Sequence, residues 1–198
     1  MGRTRASDFE EKQRGILDSA AAVFAEMGME KASMAQIARH SNVSKALLYH
    51  YYPSKDALIF DIVRTHLTEL DAEIAAADRP DLPPAQRLRR LIHRVIESYE
   101  GADNRHKVQL NSAGTLSPQQ TAELRTIERQ IVRRFADVIR QLNTDLDRDR
   151  PLLIPVTMSL FGMLNWVYMW FRPDGPISRA DYADLATTLM LEGVKAVR

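Results

Sequence analysis

Nowhere along the 198 residues do apolar and polar side chains alternate in a sustained two-residue rhythm; apolar residues recur instead at steps of three and four. That single period from end to end leaves helix as the regular structure and predicts an all-α protein of about nine helices. Ser7 with Glu10 has capping-box spacing and opens the first, whose apolar stripe is Ile16, Leu17, Ala20, Val23, Phe24 and Met27 and whose stop is Gly28. Ser33 with Gln36 opens a short helix carrying Met34, Ile37 and Ala38, and after a break at Ser41-Asn42-Val43 another start stands at Ser44. Two short helices around a tight turn follow. Beyond Pro53-Ser54, the stripe Leu58, Ile59, Ile62, Leu67, Leu70 and Ile74 predicts a long helix over 55–77, ended by the linker Arg79-Pro80-Asp81-Leu82-Pro83-Pro84. Further helices are predicted over 85–99, near 105–111, from the start at Ser117-Pro118 through Leu142, over 152–171 and over 178–197.

Composition narrows the chemistry. With 27 Lys and Arg against 26 Asp and Glu, any nucleic-acid surface has to be local. The absence of cysteine excludes disulfides, thiolate metal sites and cysteine nucleophiles. The first 14 residues are polar and charged with no apolar core, as expected of a cytoplasmic protein. There is no glycine-rich phosphate loop, nucleophile elbow or HExxH motif, so no enzyme activity and no cofactor are expected. His93 and Glu97 stand one helical turn apart and suggest a cation shared with His106, but no further ligand is placed, so no metal is expected either.

The segment 151–171 carries no formal charge over 21 residues. Its length would span a bilayer, but Pro151, Pro155, Thr157, Ser159 and Asn165 disfavour that and no second span accompanies it. A helix apolar on all sides in a water-soluble protein needs cover on all sides, most economically from a second copy of the chain. A homodimer is the expectation, with no membrane partner.

The residues from Ser33 to Lys55 carry the most specific pattern. In a helix that starts after Ser44, Leu48 and Tyr52 share an inward face, leaving Lys45, Ala46, Leu47, Tyr49 and His50 outside. A short face that is basic at its start, rich in hydrogen-bonding tips and free of acids suits a DNA major groove. The run Ser33-Met34-Ala35-Gln36-Ile37-Ala38, followed by Asn42-Val43-Ser44-Lys45-Ala46-Leu47-Leu48-Tyr49-His50-Tyr51-Tyr52-Pro53-Ser54-Lys55-Asp56-Ala57-Leu58, resembles the DNA-binding signature of the tetracycline-repressor family of transcriptional regulators. It differs mildly, with Ala46 where Gly is frequent and Tyr52 where Phe is usual. The resemblance implies a helix–turn–helix head over 1–54, a ligand-binding and dimerisation body over 55–198, and a dimeric repressor released from a palindromic double-stranded operator by a small molecule. Carried over by position, it implies phosphate contacts from Ser33 and Lys55, backbone or groove contacts from Ser44, Tyr49 and Tyr51, and base reading by Lys45, Leu47 and His50 on a helix that includes Ala46. Capping for Ser33 and Ser44, partial burial for Tyr51, and plain solvation for Lys55 and His50 stand beside those roles.

In the body, aromatic and polar residues gather at 165–172 and at 105–111. Arg105, His106, Gln109, Met163, Trp166, Tyr168 and Trp170 are the candidate ligand-binding residues, with core or dimer interface as the alternative. The stretch from Phe161-Gly162-Met163-Leu164-Asn165-Trp166 to Arg172-Pro173 is similar to family members that regulate acyl-CoA, lipid or aromatic-acid catabolism, which implies a CoA thioester as effector. Arg87, Arg89, Arg90 and Arg94, or Arg125, Arg129, Arg133 and Arg134, are then candidates for its phosphates, with solvated helix faces as the alternative. A helical adaptor that does not bind DNA is the other function class.

Overall fold

The computed structural model describes the backbone of residues 2–197 and the side chains of residues 9–197. Among the described residues there are helices and no strands: α1 (Gly2–Met27), α2 (Met34–His40), α3 (Lys45–Tyr51), α4 (Lys55–Ala77), α5 (Pro84–Ser98), α6 (Asp103–Asn111), α7 (Pro118–Leu142), α8 (Leu153–Asn165), the single turn α9 (Val167–Trp170) and α10 (Arg179–Ala196). The protein is all-α, as its periodicity predicts.

Helix boundaries follow local chemistry. Helix α1 begins at Gly2 and so runs through Ser7, whose side chain lies outside the described residues. It ends where Gly28 takes a φ of +81°, a conformation that costs glycine nothing. Met27, placed by its spacing on the apolar stripe, is exposed at this last turn, whereas Ile16, Leu17, Ala20, Val23 and Phe24 are buried. Ser33 and Gln36 close a reciprocal capping box on α2: Ser33 N–H donates to Gln36 Oε1 (2.8 Å), and Gln36 N–H donates to Ser33 Oγ (3.3 Å). Ser117 with Gln120 does the same for α7, and Ser178 with Asp181 for α10. The segment predicted as one helix over 152–171 is interrupted at Trp166, leaving a 13-residue α8. With α9 it makes an apolar stretch, Leu153–Trp170, that by length and composition alone could cross a membrane, a test that core helices also pass.

Two compact units divide the chain: Met1–Leu67 with Gly101–Leu124, and Thr68–Glu100 with Arg125–Arg198. The packing parts within α4, between Leu67 and Thr68. The first half of α4 stays with α1, to which Asp61 is bonded through Gln13.

In the first unit, α1 packs on α2 and α6, and α2 on α3. Its core includes Ile16, Phe24, Ile37, Leu48, Leu58 and Ile62. Lys107 on α6 donates to the Ala25 carbonyl near the end of α1 (2.6 Å). In the second unit, α10 packs on α5 and α8 around Leu91, Ile92, Val95, Leu160, Leu164 and Ala186, with Phe135 of α7 edge-on to Phe161 of α8 at 5.1 Å. Arg87 at the start of α5 grips Asp78, just past α4, through two bonds of 2.6 and 2.8 Å. The guanidinium holds the Asp78 carboxyl below the usual carboxylate range.

Candidate nucleic-acid interface

The geometry of α2 and α3 follows from the turn between them. Asn42 adopts a φ of +52°, left-handed backbone that a short amide side chain tolerates better than most. The turn is closed by Val43 N–H donating to the Ala38 carbonyl (3.0 Å). Ser44 then caps α3 by accepting the Leu47 N–H at 3.0 Å. That bond uses the hydroxyl oxygen as acceptor and leaves its proton for a phosphate. Capping and contact are therefore compatible at Ser44. Ser33 spends its hydroxyl more fully, because it also donates to Gln36 Oε1 (2.7 Å).

Only Leu48 of α3 is buried. Lys45, Ala46, Tyr49 and His50 are exposed, and Leu47 and Tyr51 are half-buried. The exposed groups brace one another. Lys45 Nζ stands 5.8 Å from the centre of the Tyr49 ring, His50 meets Tyr51 edge-on, and Tyr51 stacks on Phe9 of α1 at 4.8 Å. Tyr51 is thus both partly buried and at the margin of the exposed face. From Lys31 to Lys55 there is no acidic residue. Arg39 and His40, exposed at the end of α2, extend the basic surface; their position beside the turn was the available signal, and the pattern of α3 alone misses them.

Lys55, expected to donate to a phosphate, donates instead to the carbonyls of Met29 (2.6 Å), Glu30 (3.2 Å) and Ala32 (3.3 Å). An ammonium has three protons, and here each has a carbonyl. Its charge holds the α1–α2 connection to the start of α4.

The candidate ligand residues fall into both units. Arg105, His106 and Gln109 belong to the first. His106 is buried with its ring 5.7 Å from that of His66 on α4, Arg105 is half-buried and approaches Asp18 at 3.6 Å, and Gln109 is half-buried. Burial pushes the His66 imidazole down to about 3, with lesser contributions from His106 and Arg105. Met163, Trp166, Tyr168 and Trp170 belong to the second. The Met163 carbonyl accepts from the Tyr182 hydroxyl (3.0 Å), Tyr168 meets Trp166 edge-on, and Trp166 and Trp170 are 58% and 41% exposed. Those two indoles lie on the surface, and Met158 and Met169 are exposed as well. His93 is bonded to Asp184 (2.6 Å), and no group of three His, Cys, Asp or Glu among the described residues is placed to hold a metal. Of the body arginines, Arg89, Arg90 and Arg94 line an open groove of about 510 Å³ along α5, and each has a protein partner there, Asp184, the Ala77 carbonyl and Glu73 respectively, while Arg87 is held by Asp78.

Residues 16–62 match the family described as bacterial regulatory proteins, tetR family, and residues 81–194 match the tetracyclin repressor-like C-terminal domain. A TetR-family transcriptional regulator from Bordetella parapertussis 12822 superposes with a TM-score of 0.82 at 31% identity, covering 94% of this chain and 97% of that one. The transcriptional repressor KstR2 of Mycobacterium tuberculosis is 24% identical over 187 residues, 90% of either chain. AibR, solved in complex with isovaleryl coenzyme A and operator DNA, shares the fold with a TM-score of 0.79 at 24% identity, over 90% of this chain and 97% of that one.

Proposed function

The chain belongs to the tetracycline-repressor family of DNA-binding transcriptional regulators, which are not enzymes, and from that premise we propose that it is a homodimeric cytoplasmic repressor released from a palindromic operator by a CoA thioester. The observation that carries the proposal is the face of α3. Lys45, Ala46, Leu47, Tyr49 and His50 stand on a capped, acid-free helix whose one buried side chain is Leu48, with Ser44 and Tyr51 at its two ends and Ser33 capping α2. Residues 1–54 read DNA; residues 55–198 bind effector and partner. In the dimer the two α3 helices enter successive major grooves, about 34–36 Å apart.

Exposed Ile154, Met158, Leu185 and Leu189 on α8 and α10 support the dimer, because apolar side chains repeated along two helices call for a partner surface. The effector class is supported by the ligand named for AibR and by the α5 groove, where Arg89, Arg90 and Arg94 suit phosphates. Arg105, His106 and Gln109 in the first unit, and separately Met163, Trp166, Tyr168 and Trp170 in the second, remain candidates for effector contact. Release requires that the thioester bind one spacing of the heads more tightly than the other, with α4 carrying the shift.

Fluorescence anisotropy with DNA selected from a random pool, over a salt series and a panel of CoA thioesters, tests the proposal. A tightly bound palindrome with a steep salt slope, released by one thioester, is expected. Binding that no thioester disturbs removes the effector class. A rise in transcription from a template carrying the site, on adding the protein, reverses the sign of regulation.

A further inference from the structure

Helix α3 is seven residues long and buries one side chain, too little to hold an orientation by itself. Its N-terminal end is tied to α2 by Val43 N–H donating to the Ala38 carbonyl (3.0 Å). Its C-terminal end is tied by Tyr52, the residue that caps it, which is buried and bonded to two other helices. Tyr52 Oη donates to Asp61 Oδ2 of α4 at 2.8 Å and accepts from Gln13 Nε2 of α1 at 3.1 Å. Gln13 Nε2 also lies 3.2 Å from the same carboxylate oxygen. The other oxygen of Asp61 accepts from the guanidinium of Arg64.

Asp61 sits among Leu58, Ile59, Ile62 and Val63, all buried. A carboxylate there is costly unless every lone pair finds a donor. Tyrosine, glutamine and arginine supply those donors from three helices, counting α3 through its cap. An apolar side chain would fill the same space with less desolvation, but would not select a direction. Hydrogen bonds to a buried carboxylate do. Burial and the neighbouring carboxylate also raise the Tyr52 phenol well above its ordinary range, so it stays a donor across the working pH range.

We propose that Asp61 is a positioning residue for DNA reading, which through Tyr52 and Gln13 sets the angle at which α3 is presented from α1 and α4. The inference rests on α3 being the recognition helix, and selection of a duplex by the wild-type protein establishes that before any variant is made. Tyr52→Phe keeps the ring and removes the oxygen; Asp61→Asn keeps the shape and removes the charge. Affinities are measured for the selected duplex and for a scrambled duplex of equal length, with helix content followed by circular dichroism. Each variant is expected to lower the ratio of selected to scrambled affinity by about fivefold, the effect of one buried hydrogen bond, with the salt slope on scrambled DNA unchanged. The double variant is expected to lose no more than the larger single loss, since both act through one bond. A Tyr52→Phe protein with the wild-type ratio overturns the proposal. So does a proportionate loss on both duplexes, which reports only a smaller folded fraction. Gln13→Ala, at a half-buried position, repeats the measurement with Tyr52 and Asp61 intact and is expected to lower the ratio about twofold; an unchanged ratio there removes Gln13 from the positioning set.

Discussion

Two lysines ten positions apart are placed differently. Lys45 stands on the exposed face of α3, while Lys55 directs its ammonium into three carbonyls of the α1–α2 connection. Lys45→Ala is expected to weaken binding to all DNA sequences and to reduce the salt slope by about 1, as for one lost phosphate contact, in an anisotropy titration. Lys55→Met is expected to leave that slope unchanged and to lower unfolding stability by about 1–2 kcal/mol, read by urea denaturation. A slope change for Lys55→Met would return it to the phosphate. His66 supplies a pH dependence. Its folded pKa of about 3 lies below the unfolded value near 6.5, so its contribution is intact above pH ~6.5 and is lost progressively as pH falls toward 3. His66→Leu should flatten the stability profile between pH 6.5 and 5 relative to wild type; coincident slopes would contradict a neutral buried imidazole. The pattern of Leu48 and its exposed neighbours was legible in the sequence because helical period sorts a face directly. The carbonyls that hold Lys55, 23 to 26 residues back, and the partners of Gln13, 39 and 48 residues on, were not, because groups that meet across such separations leave no local spacing.

Elements were legible where a cap or a breaker stands at the boundary. Ser33, Ser44, Ser117 and Ser178 mark true starts, and Gly28 and the prolines near 80–84 mark true interruptions. Apolar content alone misled at 152–171, where no breaker announces the interruption at Trp166, and at Met27, where the periodic stripe outlasts the core it faces. The turn between α2 and α3 depends on a left-handed Asn42, which invites a direct test. Asn42→Val places a β-branched residue at positive φ and is expected to cost roughly 1–2 kcal/mol, while Asn42→Gly is tolerated. Thermal melts of the two variants, with the glycine form as reference, distinguish backbone strain from loss of the amide; equal losses would assign the effect to the side chain.

At the scale of the whole molecule, the unresolved demand is the apolar face of α8 and α10. Leu189, 55% exposed, and Ile154, 52% exposed, repeat the character of Met158 and Leu185. Leu189→Glu is expected to halve the mass observed by sedimentation at micromolar concentration and to weaken binding to a palindrome far more than to a single half-site. Unchanged mass would place the dimer contact elsewhere. The uncharged stretch made the α8 part of this face visible in the sequence, whereas Leu185 and Leu189 lie outside it on α10, and which residues turn outward is decided by the packing of α5 and α10 against α8. The C-terminal end of α8 has an optical consequence. The chain's two tryptophans are Trp166 and Trp170, both solvent-accessible, and α2 and α3 contain none. Excited near 295 nm, the protein therefore reports only the environment of that one region: a blue shift on concentration would mark the indoles leaving water, while changes confined to α3 would pass without a direct tryptophan signal.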